Sequence, residues 1–247
     1  MQYAYQKSEG TRYGEFYGYI AEGYFQSEEE IKKSPRQMRE LAPGDIKYKD
    51  LNDDGVIDAN DQCYLGKSWF PSWSYGMGFN INYHNFDLAL FFQGVSDVSI
   101  MANGGSIDTG NGDWGASGVG IVPFTGMGLN PSNVITKALD RWTADNPRAD
   151  AWYPRMTANA TTNDNNYVNS THWLKDRSYL RLKQASLGYT LENKKLMDKG
   201  IEYLYFYLSG QNLLTFSKFK LWDPELGSNG AKYPLSRMVT LGMRVSF

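Results

Sequence analysis

The sequence has few of the residues that build disulfides, zinc sites and hydrolase active sites. Its 247 residues include one cysteine, Cys63, and two histidines, His84 and His172. One thiol cannot form a disulfide within the chain, and three such side chains are too few for a four-ligand Cys/His zinc site. Neither histidine has a nearby cysteine or acidic triad partner, and no nucleophile-elbow motif occurs. We therefore predict that the protein is not an enzyme.

Excess charge and long apolar helices are also missing. Lys and Arg total 25 against 27 Asp and Glu, so a net charge of −2 gives no electrostatic reason to propose a nucleic-acid partner. The longest charge-free stretch, Trp114–Thr136, is rich in Gly and Pro, which is typical of a loop and not of a transmembrane helix. The first ten residues have no apolar core of the length that a signal peptide needs. If the protein is exported, we expect this chain to be part of a longer one.

Aromatic residues and glycine are abundant instead, with 18 Tyr, 12 Phe, 7 Trp and 25 Gly. This composition favours a β protein with many turns. Alternating apolar and polar residues predict six strands, and His84–Asn85 is the predicted two-residue turn between the second and third. The strands are Glu15–Phe25, Trp73–Tyr83, Phe86–Val95, Ser178–Thr190, Glu202–Asn212 and Ser236–Phe247.

Long connections alternate with short ones between these strands. That pattern is typical of an antiparallel up-and-down transmembrane β-barrel, with short periplasmic turns and long extracellular loops. A soluble β-sandwich with two large insertions is the alternative, and the two differ in whether the apolar strand faces meet lipid or a second sheet. Six strands are too few to close a barrel, and an open sheet in lipid leaves costly unpaired edges. We therefore predict an all-β chain that forms about six strands of a larger barrel.

One segment carries a metal-binding pattern. Asp50–Asp61 follows the spacing of an EF-hand calcium loop, with Gly55 at the sharp turn in position six. The predicted ligands are Asp50, Asn52, Asp54, Val56 through its carbonyl, Asp58 and Asp61. Hard carboxylate oxygens suit Ca²⁺, so we predict a structural calcium site in an extracellular loop over residues 43–66. A polar Asx-turn loop without metal is the alternative, because the last ligand is Asp instead of Glu and Pro43–Gly44 precede the motif where a helix would be expected.

Several segments resemble, in order along the chain, the SusC/RagA class of TonB-linked outer-membrane transporters. They are PGDIKYKDLNDDGVIDANDQCYL at Pro43–Leu65, FDLALFFQGVSD at Phe86–Asp97, SYLRLKQASLGYTL at Ser178–Leu191, YLSGQNLLTF at Tyr207–Phe216 and YPLSRMVTLGMRVSF at Tyr233–Phe247. FYGYIAEGYFQSEEEI at Phe16–Ile31 and RWTADNPRADAWYPR at Arg141–Arg155 also match the family's pattern.

The resemblance implies that residues 1–247 are the C-terminal part of a barrel of about 22 strands in the cell outer membrane, in contact with lipid through many passes. It implies that residues 96–177 form a long extracellular loop. The implied function is import of oligosaccharides or peptides, with a SusD-like surface lipoprotein as partner and the TonB complex acting through a part absent from this chain. A soluble surface carbohydrate-binding β-sandwich module is the alternative from another class.

Four polar side chains are predicted to face the barrel lumen. Arg181 and Lys183 alternate with Leu180 and Leu182, while Asp87 and Gln93 share one face of the third strand. They either contact a plug or a transported molecule, or they form a solvated inner wall in which the cations pair with carboxylates. The second interpretation is favoured.

Overall fold

The computed structural model describes residues 3–103, 136–156, 164–227 and 233–247. Two short helices, α1 (Glu28–Lys33) and α2 (Lys194–Met197), accompany eleven strands in these ranges. The strands are β1 (Glu15–Gly18), β2 (Ala21–Tyr24), β3 (Ile46–Tyr48), β4 (Cys63–Ser68), β5 (Trp73–Tyr83), β6 (Phe86–Ser96), β7 (Ser99–Met101), β8 (Leu174–Asp176), β9 (Tyr179–Leu191), β10 (Tyr203–Ser217) and β11 (Met238–Ser246). None of the helices in this part of the chain is long and apolar enough to cross a membrane.

The chain divides into two compact units, which we call the sheet unit and the loop unit. The sheet unit comprises Pro71–Val98, Arg177–Glu225 and Tyr233–Phe247. The loop unit comprises Met1–Phe70, Ser99–Asp176 and Leu226–Lys232.

The sheet unit contains one five-stranded antiparallel sheet in the order β11-β10-β9-β6-β5. Each strand pairs with the sheet strand that precedes or follows it along the chain, which is up-and-down order. β5 and β6 are joined by the predicted two-residue turn, where His84 adopts a φ of 53°, a conformation typical of tight hairpin turns. The prediction of a sequential antiparallel sheet is confirmed for these five strands. Within the described residues the sheet is open, because β5 and β11 each have one neighbour.

One face of this sheet is apolar across all five strands. Cross-strand partners share a face, because side chains alternate along each strand. One row therefore runs across the sheet through Ile81, Leu88, Leu187, Leu208 and Leu241, and we call it the apolar row. Four of its five side chains are about half exposed or more, with Leu241 at 79 %. No second sheet covers this face in the described part of the sheet unit.

Two bulges adjust the alternation near the end of the sheet where the long connections lie. The pairing of β9 shifts at Lys183 on the β6 side, and the pairing of β10 with β9 shifts between Gln211 and Leu214. A bulge absorbs one extra residue, so the residues after it stay on the same face as their cross-strand partners. Leu180 and Leu182 therefore lie on the same apolar face as Leu187. Strict alternation without the bulge would place them on the opposite face, because they are an odd number of residues away from Leu187.

The loop unit is built from small pieces. It contains three two-stranded sheets, β1–β4, β2–β3 and β7–β8, and its buried side chains include many aromatic and polar ones. Phe25, Tyr153 and Trp173 are completely buried. A buried carboxylate, Asp45, accepts two hydrogen bonds from the Arg155 guanidinium at 3.0 and 2.9 Å. This ion pair joins segments of the unit that are far apart in the sequence, and aromatic side chains fill much of its core.

The predicted strand Glu15–Phe25 does not join the five-stranded sheet, so a sixth strand was a wrong prediction. The segment forms β1 and β2, which pair with β4 and β3. Register shifts interrupt both pairings, and Gly23 adopts a φ of 129°, so no continuous strand runs through the segment. Its alternating residues pack into the loop unit, where Phe16, Tyr19 and Tyr24 are buried.

Candidate functional site

The face of the five-stranded sheet opposite the apolar row is polar. A second row crosses it through Asn80, Ala89, Ser186, Ser209 and Thr240, one residue away from the apolar row in every strand. We call this side the polar face. It also carries Asp87, opposite Gly188, and Gln93, opposite Arg181. Three of the four side chains predicted to face a lumen therefore lie on one face, and Lys183 reaches the same cluster of charges from its bulge.

Arg181 and Lys183 are paired with two carboxylates. The Arg181 Nη2 donates to both oxygens of Asp223, at 2.6 and 2.7 Å, and its Nε lies 2.9 Å from Glu225 Oε1. Lys183 Nζ donates to Glu225 Oε2 at 2.8 Å. Arg181 is only 2 % exposed. The interpretation in which these cations pair with carboxylates agrees with this geometry.

The sequence analysis missed Asp223 and Glu225. They follow β10 in the stretch WDPE, where no alternation marks a strand and Asp-Pro indicates only a turn. Two acidic residues at positions i and i+2 after a strand, matched by Arg181 and Lys183 at the same spacing, were the available signal. Spacing alone could not show that the chain returns to β9 after the end of β10.

Asp87 has an aromatic partner at the other end of the polar face. The Tyr205 hydroxyl donates to Asp87 Oδ2 at 2.9 Å, and the Arg244 guanidinium lies 5.9 Å from the centre of the Tyr205 ring. A side chain at Gly188 would collide with both Asp87 and the Tyr205 hydroxyl. Glycine at this position is therefore what allows the tyrosine to lie across β9 and reach the carboxylate.

The predicted calcium loop folds through its own hydrogen bonds. Gly55 adopts a φ of 82°, as the turn at position six requires, and its N–H donates to Asp50 Oδ2 at 2.8 Å. Asp61 is completely buried, and its two oxygens accept from the N–H groups of Leu51 and Asp58 at 2.7 and 2.9 Å. Asx turns complete the loop at Asn52, Asp54 and Asp58.

One buried side-chain oxygen in this loop has no hydrogen-bond partner. Asp50 Oδ1 is buried and receives no hydrogen bond. Val56, predicted to offer its carbonyl, donates its N–H to Asp54 Oδ1 at 2.9 Å and forms a bridge with Arg36. Among the described residues, no group of three or more acidic, histidine or cysteine side chains is arranged to hold a metal ion. The calcium site stays a prediction, and the unpartnered oxygen of Asp50 is the group that a cation would satisfy.

Residues 96–177 contain four tryptophans, and two of the three that the structure describes are buried in the core of the loop unit. Trp173 is fully buried and Trp142 is 5 % exposed, while Trp114 lies outside the described residues. Lys175 Nζ lies 5.3 Å from the centre of the Trp152 ring. These three described tryptophans are engaged by the protein itself.

His172 is held beside this aromatic core in a neutral form. Its Nε2 lies 3.2 Å from the Trp152 carbonyl oxygen and 3.4 Å from the Tyr24 hydroxyl. Burial, and after it the nearby Lys175 charge, lowers the pKa of His172 to about 4. Burial likewise lowers the pKa of Lys175 to about 8. Both shifts make it unfavourable for these groups to carry charge in the folded loop unit.

Comparison with known proteins shows which proteins this chain is similar to. The chain is 29 % identical over 241 residues to TonB-dependent receptor P26 of Formosa agariphila, covering 91 % of this chain and 22 % of that receptor. It is 28 % identical over 255 residues to TonB-dependent receptor P3 of the same organism, covering 97 % of this chain and 22 % of the receptor. No family model matches the sequence. The chain thus spans about a fifth of the length of these receptors, whose names describe receptors and not enzymes.

Solved structures show the same fold. The RagAB peptide importer in its open-open state superimposes with a TM-score of 0.61 at 23 % identity, over 94 % of this chain and 22 % of the importer chain. The closed-closed state of that importer gives a TM-score of 0.63 at 22 % identity, over 94 % of this chain and 23 % of the other. The resemblance inferred from the sequence is confirmed. Over nearly all of its length, this chain is similar to about a fifth of a SusC/RagA-like TonB-dependent transporter.

Proposed function

We propose that this chain forms part of the barrel wall of a TonB-dependent nutrient transporter in the cell outer membrane. The observation that carries the proposal is the two-sided sheet. The apolar row is about half exposed or more at four of five positions, while the adjacent row one residue away is small and polar. A membrane barrel needs this arrangement, because one face meets hydrocarbon and the other meets water.

A soluble β-sandwich would use the same alternation differently. It would cover its apolar face with a second sheet about 10 Å away. In the described part of the sheet unit, Ile81, Leu208 and Leu241 are 54, 49 and 79 % exposed, which is a poor fit to a sandwich core. Large exposed apolar patches mark membrane or protein contact surfaces. Lipid is the occupant that the proposal assigns to this face.

The proposals about the transported molecule and the partners rest on the comparisons with known proteins. Both similar structures are of a peptide importer, and the resemblance noted in the sequence extends to oligosaccharide importers. We propose an oligosaccharide or a peptide as the substrate, a SusD-like surface lipoprotein as the partner, and the TonB complex as the source of energy. On the polar face Arg181 and Lys183 are already paired with carboxylates, so these two cations would offer a substrate little free charge.

We also propose that the Asp50–Asp61 loop binds Ca²⁺ as a structural ion. The support is the ligand spacing, the turn at Gly55 and the buried, unpartnered Asp50 Oδ1. Extracellular sites of this kind bind calcium at about 10⁻⁴–10⁻³ M. The ion would stiffen the loop and would take no part in transport chemistry.

Membrane fractionation of the host cell tests the main proposal. The protein should be found in the outer-membrane fraction and should stay there through washes with carbonate and with urea, because a barrel wall is integral to the bilayer. Recovery of the protein as a soluble monomer in the absence of detergent would overturn it.

A further inference from the structure

The segment that follows β10 turns back across the polar face. We call Phe219–Glu225 the strap. Its first residue is anchored, because Ser217 Oγ donates to the Ser178 carbonyl at 2.7 Å and accepts from the Phe219 N–H at 3.1 Å. Phe219 is 5 % exposed and packs edge-on against Trp222. The near end of the strap is therefore fixed at the beginning of β9.

Three cations, one just before β9 and two in its first half, hold the far end. Arg177 Nη1 donates to the Pro224 carbonyl at 3.2 Å, Arg181 pairs with Asp223, and Lys183 pairs with Glu225. Asp223 Oδ1 also accepts the Glu225 N–H at 2.9 Å, which holds the two carboxylates side by side. The acidic pair of the strap thus matches the basic pair of the strand in both charge and spacing.

Because these charged groups are largely buried, their pairing is stable only while the strap stays in its observed position. Arg181 is 2 % exposed, and the Asp223, Glu225 and Lys183 side chains are about one-fifth exposed. A desolvated guanidinium is stable only beside its counter-charge, and removing one partner of a buried pair costs far more than breaking an exposed one. The four charges cancel while the strap lies down. Lifting it would leave Arg181 without a carboxylate.

We propose that the strap is a latched element of the substrate passage, closed over the polar face by Arg181 and Lys183 acting on Asp223 and Glu225. This inference rests on the proposed function, since the polar face borders a passage only in a barrel. Arg181 and Lys183 are then positioning residues: they act on a substrate through the strap that they hold. Where the strap lies, the passage is bordered by Phe219–Glu225 and not by β9.

A zero-length cross-link in the native protein tests the closed position. Carbodiimide, applied to outer membranes of the host, should join Lys183 to Glu225 through an amide, because Nζ and Oε2 are 2.8 Å apart. The Lys137–Asp140 pair, at 2.7 Å, serves as the positive control. Peptide mass spectrometry should find both cross-links. A Lys137–Asp140 cross-link without the Lys183–Glu225 cross-link would overturn the proposal.

A variant tests the latch itself. Replacing Asp223→Asn and Glu225→Gln together removes both carboxylate charges and keeps the side-chain shapes, and the matched control, Lys220→Gln, removes an exposed charge from the same segment. Chymotrypsin added to intact cells should cleave after Phe219 at least about 10-fold faster in the double variant than in the native protein or the control. Equal cleavage rates in a double variant that reaches the membrane would refute the latch.

The cross-link still decides the matter if the double variant fails to reach the membrane, since it needs no substitution. Failure of the strap is also distinct from failure of the proposed function. A missing cross-link in a protein that stays in the outer membrane would remove only the strap. Loss of outer-membrane location would remove the transporter wall, whatever the strap does.

Discussion

An arginine in the middle of the apolar row should destabilise the protein only if that row meets lipid. Leu241 lies at the middle of β11, opposite Leu208, and is 79 % exposed. Because the leucine is already exposed, Leu241→Arg removes little packing. The cost comes from placing a cation in hydrocarbon, which is about 2–4 kcal/mol at the middle of a barrel wall. That cost is roughly a 30- to 700-fold loss in the folding equilibrium constant.

Thr240→Arg is the matched control, one residue away on the polar face opposite Ser209. It should change the free energy of unfolding by less than about 0.5 kcal/mol, the usual range for a substitution in water. Urea titration of both variants, folded in the same lipid vesicles, measures the difference. If Leu241→Arg loses no more stability than Thr240→Arg, the apolar row faces water or protein, and the reasoning from exposure to lipid contact is wrong.

Three further predictions concern the loop unit. Asp50→Asn should weaken calcium-dependent protection from protease. Asp53→Asn, which changes an exposed residue between the predicted ligands, should not. Equal protection of the native protein with calcium and with chelator would show that the loop binds no calcium. Lowering the pH from 7.5 to 5 should reduce the unfolding free energy by about 2 kcal/mol, because the unfolded chain binds a proton near pH 6.5 that the buried His172 takes up only near pH 4. Denaturation of a His172→Gln variant should lack this loss. Asp45→Asn should lower the free energy of unfolding by about 3–5 kcal/mol, because Arg155 loses its buried partner. Asp150→Asn, in an exposed pair with Arg148, should lower it by less than about 1 kcal/mol. Similar melting temperatures for the two variants would contradict this.

The sheet was predictable because its apolar face is exposed. When one face is uniformly apolar and the other uniformly small or polar, a period of two survives in the sequence, as at Trp73–Tyr83 and Ser236–Phe247. The same rule failed at Glu15–Phe25. There the alternation reflects short strands packed inside the loop unit, and nothing in the pattern says which strand will be the partner. An alternating pattern therefore predicts that a segment is a strand, but it does not show which other strand is its partner.

The bulges and the strap illustrate a second limit. Lys183 and Gln184 are adjacent polar residues in an otherwise alternating strand, and this doubling is the trace that a bulge leaves. The pairing of Arg181 with Asp223 depends on where the chain turns after β10, which is a tertiary property. The cations Arg181 and Lys183 could therefore be predicted from the sequence, together with the interpretation that they pair with carboxylates. The sequence could not identify the carboxylates.

Spin-label accessibility in the central strands tests most directly whether the sheet is a membrane wall. Single cysteines would replace Leu187 and Leu208 on the apolar row, and Ser186 and Ser209 on the polar row, in a Cys63→Ser background. In lipid vesicles, labels at 187 and 208 should be relaxed by oxygen, which concentrates in hydrocarbon, and labels at 186 and 209 by a water-soluble nickel chelate. Labels at 187 and 208 that are protected from both reagents, or that meet the nickel chelate as readily as those at 186 and 209, would contradict the barrel wall.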